Sequence, residues 1–279
     1  MSVTEHIKLR PLSKALGAEI QGIDLRRLSD EDAHAIVDAW IENFVILLRN
    51  QDLSEDEQVR FAERFGDGQL SAAHIPGLGS KKAGVAYVSN IRQDGKLTGV
   101  LPDGEMQFHS DQCYLERPSK GTMLYAIEVP SKGGDTVFAN AYAAYETLPK
   151  DVRQRIAEMT ALNVYDYGNN PTRRGEVSAD APQWVHPVVR THPVTGRKAL
   201  FVNRLMTVRI EGLAAGESAE LLDMLFAHSE RPQFIYAHVW RPGDVLVWDN
   251  RCVLHARTDF DSSERRLLRR ITLQPEGVQ

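Results

Sequence analysis

The 279-residue sequence predicts an α+β, mostly β fold: a sandwich or jelly-roll core with flanking and inserted helices, in a single domain over residues 1–279. Three observations carry this. From about Gly121 onward, short β-branched and aromatic runs recur between turn residues. The regular strand–helix alternation that a parallel βαβ sheet needs is missing. Gly and Pro are scattered as punctuation, with no internal repeat and no low-complexity linker to divide the chain.

The elements follow in order. Gly17 to Leu25 reads as a short strand. Ser29 with Asp32 three residues on opens a helix in the manner of a capping box, and Ile36, Val37, Trp40 and Phe44 line its buried face. The apolar run Phe44 to Leu48, stopped by Arg49-Asn50-Gln51, has the length of a buried strand. Ser54 and Glu57 form a second capping box; Val59, Ala62 and Phe65 keep helical spacing, and Gly66 sits where a left-handed C-cap is expected. Strands are then predicted at Thr122 to Val129, Thr136 to Ala139, Val188 to Thr191, Ala199 to Asn203, Phe234 to Trp240 and Val245 to Trp248. Pro130 to Gly134 and Arg241 to Asp244 are turns, and Leu148 to Met159 and Ser218 to His228 are helices inserted between strands.

Composition narrows the function classes. With 42% hydrophobic and 25% charged residues the chain can bury a substantial core. A net charge of -5 and a pI near 6.0 give no bulk attraction to nucleic acid or an anionic membrane, so neither is an expected partner and any anion site must be local. Two cysteines, Cys113 and Cys252, are too few for a disulfide framework and suit a reducing cytoplasm. Met1 to Arg10 lacks a signal-peptide pattern, and no run approaches about 18 apolar residues, so a cytoplasmic protein is expected.

His109-Ser110-Asp111 sets an imidazole and a carboxylate two residues apart, which on extended backbone projects both to one face. With a second, distant imidazole, such a pair would occupy one face of an octahedral ion and leave three adjacent positions open, as non-haem Fe(II) oxygen chemistry requires. The pair alone is weak, because His228-Ser229-Glu230 has the same types and spacing yet ends a helical run, where both residues read as solvated helix-end groups. A zinc hydrolase is disfavoured, since no general-base motif accompanies the ligands.

Context adds Gln107-Phe108-His109-Ser110-Asp111-Gln112-Cys113-Tyr114, Lys132-Gly133-Gly134-Asp135-Thr136 and Trp248-Asp249-Asn250-Arg251-Cys252-Val253-Leu254-His255. With these stretches the chain resembles the taurine dioxygenase and 2,4-dichlorophenoxyacetate dioxygenase family of Fe(II)/2-oxoglutarate enzymes, from about Ile20 to Leu273. The resemblance implies a double-stranded β-helix (jelly-roll) core, with His109, Asp111 and His255 as the catalytic iron ligands. It further implies that Arg266, eleven residues after His255, holds the remote carboxylate of 2-oxoglutarate with Thr136 as hydroxyl-bearing partner. A guanidinium suits that task, offering a bidentate and permanently charged fork. The keto acid end would chelate the metal and leave one position for dioxygen. Asp111 argues for hydroxylation, because related halogenases have a small residue there.

In Arg265-Arg266-Leu267-Leu268-Arg269-Arg270, a stretch that alternates poorly as a strand, even-numbered residues share one face. The family places a second arginine, matching Arg270, on the substrate's acidic group; Arg265 and Arg269 then read as a solvated or salt-bridged face. His74 lies in a loop where the family contacts substrate. Glu105 departs from the taurine enzyme's asparagine, and Lys96 reads as an exposed turn residue. The expected activity is therefore hydroxylation of a small anionic substrate, an aryloxy or aryl carboxylate, by O2 and 2-oxoglutarate. The alternatives are an alkylsulfonate or sulfate-ester dioxygenase and, outside enzymes, a jelly-roll metal- or ligand-binding protein. The family commonly forms homo-oligomers, dimers or tetramers.

Overall fold

The computed structural model describes residues 7–66, 70–71, 84–99, 104–165 and 180–275. Its framework begins with the apolar run predicted as a buried strand. Val45–Leu48 has every side chain buried, on both faces, which requires a layer on each side. Each such aliphatic side chain contributes roughly 1.5–3 kcal/mol when removed from water.

This strand lies within an eight-stranded sheet in the order Lys8–Pro11, Ala18–Gln21, Val45–Leu48, Val245–Asp249, Gly121–Glu128, Leu267–Leu273, with Leu70–Ser71 and Val85–Ser89 both paired to the last of these. Ala18–Gln21 runs parallel to Val45–Leu48, and the other pairings among the described residues are antiparallel. A four-stranded sheet, Ile235–His238, Thr136–Asn140, Val253–Arg257 and Met106–His109, packs against it. Phe138 and Val253 of the small sheet share one apolar cluster with Leu124, Leu246, Trp248 and Leu268 of the large one. The architecture is α+β and sheet-rich.

The helices Asp30–Asn43 and Glu55–Glu63 cover the other face of the large sheet, where Trp40 and Phe61 meet Met123, Tyr125, Val247 and Ile271. Both caps form as the sequence predicts: Ser29 Oγ accepts from the Asp32 amide, and Ser54 and Glu57 make the full reciprocal box. The C-termini differ. Phe44 is no helical-face residue but the left-handed C-cap, with φ 69° and its amide donating to Trp40 O, and its ring packs edge-on to Tyr142. The second helix ends at Arg64 in right-handed conformation, and the positive φ of Gly66 falls two residues later.

A further cluster joins the Thr160–Val164, Gln183–Pro187 and Thr207–Ile210 sheet to the Ala215–Ser229 helix and the Val189–Thr191/Lys198–Leu200 hairpin. Within the stretch predicted as one helix from Leu148 to Met159, only Lys150–Ile156 is helical; a short helix, Ala141–Glu146, precedes it, capped by Asn140. Among the described residues, no helix is long and apolar enough to cross a membrane.

Candidate active site

His255 lies mid-strand in Val253–Arg257 and is paired directly with His109, the last residue of Met106–His109. That register brings the two imidazole centroids to 4.0 Å. Asp111 is not on the strand, as simple alternation predicts. It sits in the turn that follows, where Gln112 takes φ 57°, and the turn rather than pleat geometry returns its carboxylate to the rings. His109 Nε2 is 3.8 Å from Asp111 Oδ1, and His255 Nε2 is 3.7 Å from Asp111 Oδ2. The three donor atoms all lie within 4.8 Å of one another, and all three residues are buried.

The protonation states suit a cation. His109 Nδ1 is 2.9 Å from the Gln107 carbonyl, which can only accept, so Nδ1 carries the proton and the Nε2 lone pair faces the cluster. Burial pushes both imidazoles to lower pKa, His255 further because His109 adds its charge. Burial alone would raise Asp111, but Arg270, His255 and His109 together hold it well below the usual carboxylate range. Two neutral imidazoles beside an ionised carboxylate form a donor set that fits a divalent metal.

The cationic side is built from the Leu267–Leu273 strand and the residue before it. Arg266 is 2% exposed. Its Nη2 donates to Gly134 O at 3.2 Å, while Nε and Nη1 are buried without a hydrogen-bond partner among the described residues. Burial, and then the neighbouring charge of Arg257, pull the guanidinium down to about 9, so it remains cationic at neutral pH. A buried, underpartnered cation demands an anion. Gly134 makes room for it: at φ +66°, a Cβ there would stand 3.2 Å from Arg266 Nε and 3.0 Å from Pro130 Cγ. Thr136, two residues on, is buried and accepts from Trp240 Nε1 at 3.0 Å.

Arg270 shares the inward face with Leu268, as the even-numbered pattern requires, and its Nη2 is 2.9 Å from Asp111 Oδ2. Arg265 faces outward and pairs with Glu128. Arg269 is a correction: far from solvated, it is 6% exposed, donates to Leu53 O and lies over the Tyr125 ring. Glu105 and Lys96 are exposed, and His74 lies outside the described residues. The second His-x-acid pair is structural but not solvated as expected: His228 is buried with Nε2 2.9 Å from Ala144 O, while Glu230 pairs with Arg204.

Sequence reasoning missed a second cluster, His192, Asp249 and Cys252. His192 Nδ1 accepts from the Val194 and Thr195 amides, so Nε2 carries the proton and donates to Asp249 Oδ2 at 3.0 Å. Both nitrogens are used, burial pushes the Cys252 thiol well up, and Arg251 binds Asp249 through two nitrogens. This cluster braces the turn leading to His255. Its signal in the sequence was Asp249 and Arg251 bracketing Asn250 between two apolar runs.

The chain matches the family described as taurine catabolism dioxygenase TauD, TfdA family over residues 8–272. It is 35% identical over 283 residues to an alpha-ketoglutarate-dependent 2,4-dichlorophenoxyacetate dioxygenase of Cupriavidus pinatubonensis, covering 96% of this chain and 98% of that one. An (S)-phenoxypropionate/alpha-ketoglutarate-dioxygenase of Sphingobium herbicidovorans is 33% identical over 278 residues, covering 93% and 92%. Among solved structures, AAD-2 in complex with Mn(II) and N-oxalylglycine superposes with a TM-score of 0.79 at 28% identity, over 96% of this chain and 97% of that one.

Proposed function

Because the chain belongs to the taurine catabolism dioxygenase TauD, TfdA family and is an Fe(II)- and 2-oxoglutarate-dependent dioxygenase, we propose that it oxidises a small aryloxy or aryl carboxylate. His109, Asp111 and His255 would hold the iron, Arg266 and Thr136 the remote carboxylate of 2-oxoglutarate, and Arg270 the substrate's acidic group. His74 is retained as a further substrate contact. The observation that carries this reading is Arg266: a guanidinium 2% exposed, with Nε and Nη1 unpartnered, on the strand that also carries Arg270 to the His–Asp–His cluster. The two packed sheets support a double-stranded β-helix core. Two free, buried cysteines support a cytoplasmic site.

Bound iron(II) supplies the coupling of dioxygen reduction to oxidative decarboxylation of 2-oxoglutarate, and with it the power to hydroxylate a carbon centre. The protein's own residues bind, orient and exclude water. Arg266 offers two directed N–H groups to a carboxylate, which fixes the co-substrate's far end and so the angle of its keto acid end. Trp248 and Phe138 pack their rings 4.7 and 6.5 Å from His255, keeping its imidazole dry and fixed. Arg270, part-exposed where Arg266 is not, is placed to meet an incoming substrate anion. The ring of Tyr114, three residues after Asp111, stands 4.7 Å from that of Tyr165 at 43°, an aromatic pair that supports an aryl substrate. Hydroxylation of a carbon bearing an aryl ether oxygen leaves a hemiacetal that collapses to the phenol and an oxo acid.

Succinate release with Fe(II) and 2-oxoglutarate is the test, across aryloxy carboxylates, alkylsulfonates, sulfate esters and neutral amides of the same shapes. Aryloxy carboxylates are expected to lead, and Arg270→Ala, which also frees Asp111 Oδ2 and so slows every substrate, to lose roughly 10- to 150-fold more in kcat/KM for acids than for amides, the worth of one charge-assisted contact. Equal losses for acids and amides would overturn the anchor; faster turnover of sulfonates or sulfate esters would overturn the substrate class.

A further inference from the structure

Asp111 is held by a chain of buried hydrogen bonds whose direction is fixed at its far end. Trp248 Nε1 lies 2.9 Å from Asn250 Oδ1, and an indole N–H can only donate, so this end of the Asn250 amide is its oxygen. Its Nδ2 must then donate, to Thr122 Oγ1 at 3.1 Å and Ser119 Oγ at 3.0 Å. Each hydroxyl has one proton left to give, and each gives it to Asp111: Thr122 to carboxylate Oδ2 at 2.5 Å, Ser119 to the main-chain carbonyl at 3.2 Å. Ser110 Oγ closes the loop by donating to Asn250 O at 2.9 Å, and the Asn250 amide donates to Lys120 O at 2.9 Å. Thr122, Asn250, Trp248, Ser119 and Ser110 are all no more than 1% exposed.

The strand register explains why these groups meet. Trp248 on Val245–Asp249 is paired with Thr122 on Gly121–Glu128, and Asn250 lies in the turn just beyond. The hydroxyl of Thr122 therefore comes from the rigid large sheet, whereas Asp111 comes from a turn. Both carboxylate oxygens border the imidazoles, Oδ1 3.8 Å from His109 Nε2 and Oδ2 3.7 Å from His255 Nε2, but Oδ2 is engaged by Thr122 and Arg270, whereas Oδ1 has no hydrogen-bond donor among the described residues.

We infer that Thr122 and Asn250 are positioning residues that make Asp111 a one-oxygen ligand, the Trp248–Asn250–Thr122 relay occupying Oδ2 so that Oδ1 is the oxygen left free to bind the metal. This rests on the proposed metal site. A carboxylate free to rotate would offer both oxygens and occupy a coordination position that the co-substrate needs.

The test is anaerobic titration of the metal-free protein with Co(II), reading affinity and the visible ligand-field spectrum, with no turnover involved. Thr122→Val, which keeps shape and strand preference but has no proton to give, is expected to weaken Co(II) binding about 10- to 100-fold, as loss of a ligand's hydrogen-bond partner does, and to alter the spectrum. Thr122→Ser should restore both. Trp248→Phe, which removes the indole donor and lets the Asn250 amide turn over, should shift both in the direction of Thr122→Val by a smaller amount. Wild-type affinity and spectrum in Thr122→Val overturn the inference, as does Thr122→Ser behaving like Thr122→Val, which would reduce Thr122 to packing. Should Thr122→Val fail to fold, Trp248→Phe with a wild-type spectrum and affinity overturns it. Failure of the wild-type protein to bind Co(II) would instead sink the metal site itself.

Discussion

Arg266→Lys separates the charge of the arginine from its geometry. Arg266 presents Nε and Nη1 from a site 2% exposed, with Nη2 occupied by Gly134 O. Nη2 keeps a second proton, so a carboxylate can accept from Nη2 together with one of the two free nitrogens. Lysine keeps the cation but offers one donor direction, so at least one charge-assisted hydrogen bond is lost, about 1.5–3 kcal/mol. The dissociation constant of 2-oxoglutarate from Mn(II)-loaded protein, measured calorimetrically, should therefore rise roughly 10- to 150-fold. Arg266→Met supplies the opposite sign in a second assay. It removes a buried cation that Asp135 attracts but that forms no ion pair among the described residues, and replacing such a charge with an apolar side chain is stabilising or neutral. The melting temperature without co-substrate should hold or rise while 2-oxoglutarate binding falls further. Unchanged 2-oxoglutarate affinity in Arg266→Lys would refute the reasoning, as would a large loss of stability in Arg266→Met.

Three other outcomes follow from the same geometry. Asp249→Asn removes the acid shared by Arg251 and His192, both within hydrogen-bond distance; breaking a buried pair on one side costs about 3–5 kcal/mol in urea unfolding, and a loss under 1 kcal/mol would contradict it. His238 and His186 are pushed to lower pKa, chiefly by burial, so the folded chain binds fewer protons than the unfolded one below about pH 6.5. Stability of the metal-free protein should thus fall as pH drops from 7.5 to 5.5, by up to about 1.4 kcal/mol per pH unit for each such histidine; a flat or rising profile on acidification would contradict it. Gly134→Ala forces a side chain into φ +66° against Arg266 Nε, and should weaken 2-oxoglutarate binding more than it changes binding of Mn(II); equal effects on both would contradict it.

Local chemistry made much of this structure legible in the sequence. The cap at Ser29 and the full capping box at Ser54 are short-range hydrogen bonds, complete within four residues; the second forms as expected, and at Ser29 the hydroxyl caps the helix without the reciprocal bond from Asp32. The runs Val45–Leu48 and Val245–Asp249 carry their burial in their composition. Arg269 shows where alternation fails. Period-two spacing separates the two faces of a strand, but it says nothing of whether the second face meets water. Here helices cover that face, so Arg269 lies buried beside Tyr125 and under Leu53. The Thr160–Val164 and Thr207–Ile210 strands were hidden for a related reason: Asn163 and Thr207, polar in the sequence, satisfy each other in the core at 2.7 Å. At the site, spacing proposed only the His109-x-Asp111 pair and the resemblance to the dioxygenase family added His255, while only the fold could reveal that Thr122, Asn250 and Trp248 stand behind Asp111.

Anomalous diffraction from crystals grown without oxygen in Mn(II) and 2-oxoglutarate addresses the convergence of these groups most directly. A single metal peak is expected, bonded to His109 Nε2, Asp111 Oδ1 and His255 Nε2, with the far carboxylate of the co-substrate on Arg266. A metal seated at His192, Asp249 and Cys252, or a co-substrate bound with Arg266 turned away from it, would contradict the account.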